Sequence, residues 1–173
     1  MRINSHLQLW RFQPQMHMNN FTFQIRNCKR SDIETIVHIE KTCHGEINNL
    51  SIISLVQYLE MFGPAFIVVE LNSEPIGFAI GGILLDDNNT TGWLLDIAVL
   101  PSFQHKGLGE KLCLEVVQRL NQYNINKIRA TVSPDNKASL ATLRKANFEP
   151  VGEDLNYFGP GQRRLIMQRN IGE

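Results

Sequence analysis

The sequence predicts a single α/β (α+β) domain on a mixed sheet, and three observations carry that expectation. The chain has 173 residues, 43% of them hydrophobic and 20% charged, the balance of one globular core of ordinary size. Short apolar or alternating segments interleave with amphipathic ones in the order β-α-α-β-β-β-α-β-α-β-β, with no internal repeat and no linker. The segment from Gly92 to Leu100 is almost wholly apolar, as expected of a strand inside a sheet.

Residues 1–20 mix Trp10 and Phe12 with polar residues and show no clear period, so they read as an N-terminal extension ahead of a domain over 21–173. Phe21 to Arg26 alternates apolar and polar, a half-buried strand. Ser31-Asp32-Ile33-Glu34 has the spacing of a capping box. The helix it opens turns Ile33, Ile36, Val37 and Ile39 inward and ends near His44-Gly45. A second helix, about Ser51 to Met61, carries Ile52, Leu55, Val56 and Leu59 and stops at Gly63-Pro64. Ala65 to Leu71 and Ile76 to Leu85 form a hairpin across Asn72-Ser73-Glu74-Pro75, and Asp86-Asp87-Asn88-Asn89 is a further turn. Gly107 to Asn121 is the clearest helix, with Leu108, Leu112, Val116 and Leu120 repeating every four residues. Lys127 to Val132 is a strand, Ser133 to Asn136 leads a helix with Leu140 and Leu143 inward, and Phe148–Gly152 and Arg164–Gln168 are the last strands.

Charge excludes several classes. Lys plus Arg and Asp plus Glu are 17 each, so nothing draws the chain towards nucleic acid or an anionic membrane. Lys29-Arg30 and Arg163-Arg164 are adjacent basic pairs and read as solvated turns or edges. Three irregularly spaced cysteines, Cys28, Cys43 and Cys113, give no disulfide or metal framework and fit a reducing cytoplasm. His17, His38 and His44 lack metal-ligand spacing, so no metal is expected. No apolar run is long enough to span a bilayer, and no signal peptide is evident.

The chemistry concentrates between Leu94 and Leu112, where a buried strand, a loop with two glycines and an amphipathic helix follow one another. A helix start exposes unpaired N–H groups with partial positive charge, and glycines let a phosphate approach them. A Walker loop is excluded because no Ser or Thr follows Lys111, and a dinucleotide fingerprint because Leu112 stands where a third glycine belongs. What fits is Gln/Arg-x-x-Gly-x-Gly/Ala, as Gln104-His105-Lys106-Gly107-Leu108-Gly109, behind Ile97-Ala98-Val99 and Pro101.

On those residues the chain resembles the GNAT N-acetyltransferase superfamily from roughly Phe21 to Gln168, and is similar to its ribosomal-protein and small-amine acetyltransferases. The stretch from Val132 to Phe148 looks like the family's strand, asparagine-led helix and closing phenylalanine, and Tyr157 to Met167 like its last loop and strand. The resemblance implies a mixed sheet of six to seven strands flanked by about four helices. It implies acetyl-CoA as co-substrate, without a metal, and an amine acceptor: a protein N-terminus, a lysine or a small amine. It places the backbone of Ile97, Ala98 and Val99 beside the pantetheine, with the N–H near Val99 on the thioester carbonyl. Backbone N–H groups from Gln104 to Gly109, through His105, Lys106, Gly107 and Leu108, would hold the pyrophosphate, and Asn136 the pantetheine or thioester end. Where many relatives carry a proton-donating tyrosine, this chain has Leu143, and Asn147 stands where they have glycine. Ser139 occupies the place of a serine found in the leucine-bearing branch.

Residue chemistry leaves the catalytic roles open. Asp96, Glu46 and His44 are each either a base for the acceptor ammonium or a structural or solvated polar group. Ser139 is either a thiolate proton donor or a first-turn polar residue, and Tyr157 either lines the acceptor cleft or packs. The missing tyrosine also admits a silent acyl-CoA-binding sensor, and the loop alone a nucleotide-binding module. No nucleic-acid or membrane partner is expected, and the chain is expected to act as a monomer or homodimer.

Overall fold

The computed structural model describes residues 15–18, 21–48, 50–86 and 89–172. Among the described residues, eight strands form one sheet: β1 (Gln15–Met18), β2 (Phe21–Asn27), β3 (Phe66–Leu71), β4 (Glu74–Asp86), β5 (Asn89–Val99), β6 (Lys127–Val132), β7 (Glu149–Asp154) and β8 (Arg164–Asn170). Four helices flank it: α1 (Ile33–Asn48), α2 (Ile52–Phe62), α3 (Leu108–Leu120) and α4 (Lys137–Lys145). From Phe21 onward the element order is the expected one. The eighth strand is β1, an edge strand antiparallel to β2 that supplies four residues of the region read as an extension. Residues 1–14, and Asp87 and Asn88 of the expected turn, lie outside the described residues. Among the described residues, no helix is long and apolar enough to cross a membrane.

The sheet order is β1-β2-β3-β4-β5-β6-β8-β7, antiparallel except between β5 and β6. Strand alternation divides β3 between two cores. Phe66 and Val68 pack with Phe78, Ile80, Ala98, α1 and α2 on one face. Ile67 and Val69 join α3 and α4 on the other, through Leu112, Val116, Leu140 and Leu143. Double coverage explains why β3 and the middle of β4 read as unbroken apolar runs.

The start of α1 departs from expectation. The carboxylate of Asp32, not Ser31, accepts the capping N–H, from Lys29 at 2.7 Å. Asp32 is buried and paired with Arg26 at 2.6 Å, so it already points at the turn while Ser31 stays exposed. The expected stop near His44-Gly45 corresponds to a break: Gly45 has φ 77° inside the helical span.

Two irregularities in β5 open the sheet. Opposite β4, Ile80 faces Asp96 and Gly81 faces Leu94, which leaves Leu95 as an extra residue, a β-bulge that bends the strand. On the other edge, pairing with β6 ends at Leu94 and Ala130. Past that point β6 follows β8 while β5 stays with β4, so the two parallel strands diverge.

Candidate active site

Divergence leaves one edge of β5 without a strand partner from Leu95 to Val99. The N–H of Leu100 bonds the carbonyl of Ile76 at 2.9 Å, which fixes the phase of the β4 ladder. Alternation then spends the amides of Asp96 and Ala98 on β4 and turns those of Ile97 and Val99 to the open edge. There the Ile97 N–H donates to Asp96 Oδ1 at 2.7 Å, and the Val99 carbonyl accepts from Gln104 Nε2 at 2.8 Å and from Cys43 Sγ at 3.4 Å.

The chain leaves β5 through a turn at Pro101–Phe103 and enters α3 with His105 at φ 60° and Gly107 at φ 75°. Left-handed backbone at Gly107 favours glycine there. Lys111 is the first residue to bond within the helix, its N–H reaching the Gly107 carbonyl at 3.2 Å. The N–H groups of Leu108, Gly109 and Glu110 therefore have no acceptor in α3, and Gly107 offers no side chain to cap them. They border a cavity of about 450 Å³ between this turn and α4. Ile97, Ala98, Val99, Gln104, His105, Gly107, Leu108, Gly109 and Asn136 all line it; Lys106 does not. Lys145 at the end of α4 lines it as well, a cation that sequence reasoning missed because it reads as an ordinary C-terminal helix charge.

A second cavity, about 270 Å³, occupies the gap between the diverging strands. Leu94, Leu95 and Asp96 form one wall, residues 130–133 of β6 and beyond the other, and Leu50, Leu143, Phe158 and Arg164 complete it. His44, Ile97, Asn136 and Ser139 border both cavities, so the two meet at the open edge of β5.

At this junction sits an acid–base cluster. Glu40 and His44 lie one turn apart on α1, and Asp96 faces them from β5. His44 Nε2 is 3.5 Å from Asp96 Oδ1 and 4.0 Å from Glu40 Oε1. The Glu40 side chain is fully buried; its Oε2 accepts the Leu50 N–H at 3.0 Å, while Oε1 has no hydrogen-bond partner among the described residues. Burial, with the Asp96 carboxylate alongside, pushes Glu40 up to about 8. The Asp96 carboxylate raises His44 above its ordinary value, against the opposing effect of burial. Asp96 itself is lowered: burial works upward, but the neighbouring His44 and Glu40 side chains, together with the Ile97 N–H, outweigh it. One side-chain nitrogen or oxygen from each of the three lies within 4.8 Å of the others, a grouping that histidine spacing along the sequence could not reveal. Glu40 was missed altogether, although a carboxylate spaced four residues from both Ile36 and His44 on an inward stripe is a readable signal.

The remaining candidates separate. Asn136 caps α4, its Oδ1 accepting the Ser139 N–H at 3.0 Å, and the residue borders both cavities. Ser139 is exposed at the first turn and borders both cavities. Leu143 is buried where a tyrosine was sought. Tyr157 lines neither cavity; it stands edge-on to Phe158 at 4.7 Å between ring centres, and Phe158 does the lining. The Glu46 side chain lies outside the described residues.

Residues 33–148 match the acetyltransferase (GNAT) family. The N-alpha-acetyltransferase of Sulfolobus acidocaldarius is 27% identical over 154 residues, covering 84% of this chain and 90% of that protein. Ard1 from Thermoplasma volcanium superimposes with a TM-score of 0.77 at 20% identity, over 87% of this chain and 99% of that one. Arabidopsis thaliana Naa50, solved in complex with the bisubstrate analogue CoA-Ac-MVNAL, gives a TM-score of 0.71 at 13% identity, over 86% of this chain and 99% of that one. A splayed β5–β6 pair, bare amides at a glycine-led helix start and a family match over two-thirds of its length place this chain in the GNAT family, as an N-acetyltransferase that moves the acetyl group of acetyl-CoA onto an amine.

Proposed function

We propose that the chain acetylates the α-amino group of a peptide or protein N-terminus, by direct attack on acetyl-CoA bound in the larger cavity. The observation that carries this reading is the junction: His44 borders both cavities and pairs with Asp96 of the smaller one, while the open-edge amide of Val99 belongs to the wall of the larger. The larger cavity fits the coenzyme. The free N–H groups of Leu108, Gly109 and Glu110, with the loop from Gln104, offer a diphosphate the donors it needs. Lys145 and the amide of Asn136 supply further polar contacts along its length.

The acceptor enters from the smaller cavity. An α-ammonium of pKa near 7.7–8.0 is neutral in only about one molecule in ten at pH 7, so most acceptors must lose a proton before they attack. His44 takes that proton; Asp96 orients the ring and stabilises its charged form, and Glu40 is a protonated neighbour. Their spacings of 3.5 and 4.0 Å are long for hydrogen bonds and shorten once an amine fills the site. As the amine attacks, charge grows on the thioester oxygen, and the Val99 N–H stabilises it by an amount of order 2.7–4 kcal/mol. The coenzyme thiolate, of pKa near 8.5, leaves without a strong acid, which is how Leu143 can replace tyrosine. Ser139 relays a proton at most, and Tyr157 braces Phe158.

The likeness to the N-alpha-acetyltransferase of Sulfolobus acidocaldarius, which extends over 84% of this chain, supports an α-amine. Action in the cytoplasm, alone or as a homodimer and without nucleic acid, accords with zero net charge and three free thiols. The test is thiol release from acetyl-CoA against N-terminal peptides, lysine-bearing N-blocked peptides and small diamines, with products weighed by mass spectrometry. Acetylation confined to free N-termini is expected; turnover only on blocked peptides or diamines contradicts the assignment.

A further inference from the structure

The smaller cavity is lined by charges from two strands. Asp96 reaches it from β5, with His44 beside it. Arg164 reaches it from β8, which lies beyond β6 in the sheet order, and its guanidinium carbon is 5.1 Å from the centre of the Phe158 ring. Leu50, Leu95, Leu143 and Phe158 give the same cavity an apolar lining. The volume, about 270 Å³, falls just under the roughly 300–1,000 Å³ usual for small-molecule sites, so it suits the first residues of a chain better than a large ligand.

Arg164 is held in place yet electrostatically unspent. Its Nη1 donates to the Arg163 carbonyl at 2.9 Å and its face rests on Phe158, which Tyr157 supports edge-on. No ion pair joins it to a carboxylate among the described residues. Its neighbour Arg163 is already paired with Glu153 at 2.6 Å. Asp154, opposite Arg164 across β7 and β8, uses Oδ1 on the Asn156 N–H. A planar guanidinium with open donors suits a carboxylate well.

We propose that Arg164 selects acceptors that carry a carboxylate close to the reacting amine, most directly an N-terminal peptide with an acidic residue at its second position. The amine then lies towards Asp96, the first side chain along Leu95 and Phe158, and the acid at Arg164. This rests on the placement of the acceptor in the smaller cavity made above. A free amino acid offers the same carboxylate, so both sources are tested.

The experiment measures kcat/KM on the full chain with acetyl-CoA for peptides that differ only at position two, Glu, Gln or Lys, and for free methionine and its amide. Glu is expected to exceed Gln by about tenfold, the worth of a hydrogen bond to a charged group, and Lys to fall lower still. In Arg164→Gln the Glu-to-Gln ratio falls to about one, and in Arg164→Glu the order inverts in favour of Lys. Unchanged acetyl-CoA affinity in both variants certifies their fold. If neither folds, the wild-type Glu-to-Gln ratio must shrink as salt rises, because the contact is charged and partly exposed. Equal rates for Glu and Gln in the wild type, or a preference that survives Arg164→Gln, overturn the proposal. Methionine outpacing both its amide and every peptide supports carboxylate selection while defeating the N-terminal reading. Acetylation of no acceptor in the panel overturns both.

Discussion

His44 is useful as a base only when neutral, and Asp96 holds its pKa above 6.5. Activity should therefore climb as pH rises through a value above 6.5, and His44→Gln should flatten that limb and cost about 10²-fold in kcat, the usual worth of a positioned base. A pH series of thiol release on both proteins reads this directly. Because the cluster works with protons, a chelator should leave the rate of the wild type unchanged. Glu40 makes a stability statement. Its folded pKa of about 8 lies above the ordinary 4.5, so between these values the native chain holds a proton that the unfolded chain has lost. Stability must fall as pH rises across that window and level off on either side. Glu40→Gln keeps an acceptor for Leu50 and has no charge to suppress. It should be more stable by about 1–3 kcal/mol at pH 8 and little changed at pH 4, measured by denaturant unfolding. Asp96 and His44 were readable as candidates because polar residues in or beside apolar elements stand out. Glu40 hid in its helical stripe, and the pairing of positions 44 and 96 is a product of tertiary packing.

At the scale of elements, the turn into α3 does most for coenzyme binding. A Cβ on Gly107 would meet nothing within 4 Å, so space is not its constraint; φ of +75° is. Gly107→Pro fixes φ near −65° and must redirect the loop. Gly109 faces Thr142, where an added Cβ sits at an ordinary 3.5 Å, so Gly109→Glu keeps the helix but sends a carboxylate into the cavity. Both variants should bind acetyl-CoA at least about a hundredfold more weakly while the helical circular dichroism is retained, the loss of charge-assisted hydrogen bonds together with like-charge repulsion. This element was the most legible in the sequence, because Leu108, Leu112, Val116 and Leu120 are all buried on the stripe that their spacing announced. The bulge at Leu95 and the end of β5–β6 pairing at Leu94 and Ala130 were not legible. Register between distant strands follows from how both faces pack, and a local apolar pattern carries no record of it.

In the whole molecule, two cores of different composition clamp one sheet, and the site lies where the sheet parts. The element order could be read along the chain because periods of two and of about 3.6 alternate cleanly. The final strand order β6-β8-β7 could not, since sequence neighbours need not be sheet neighbours. The clamp is tight at Gly81, where an added Cβ would stand 2.6 Å from Val116 Cγ1, between β4 and α3. Gly81→Ala should cost about 1–3 kcal/mol in unfolding free energy through overpacking, without a direct effect on either cavity. Coupling between fold and ligand follows from mass action: acetyl-CoA at a hundred times its Kd should add about 2.7 kcal/mol to stability.

The most direct test is a crystal structure of the full chain with acetyl-CoA. The diphosphate is expected on the N–H groups of Leu108, Gly109 and Glu110, and the thioester carbonyl on the Val99 N–H within hydrogen-bond distance. Coenzyme bound away from the α3 turn, or a thioester turned from the open edge of β5 and from His44, would contradict the account.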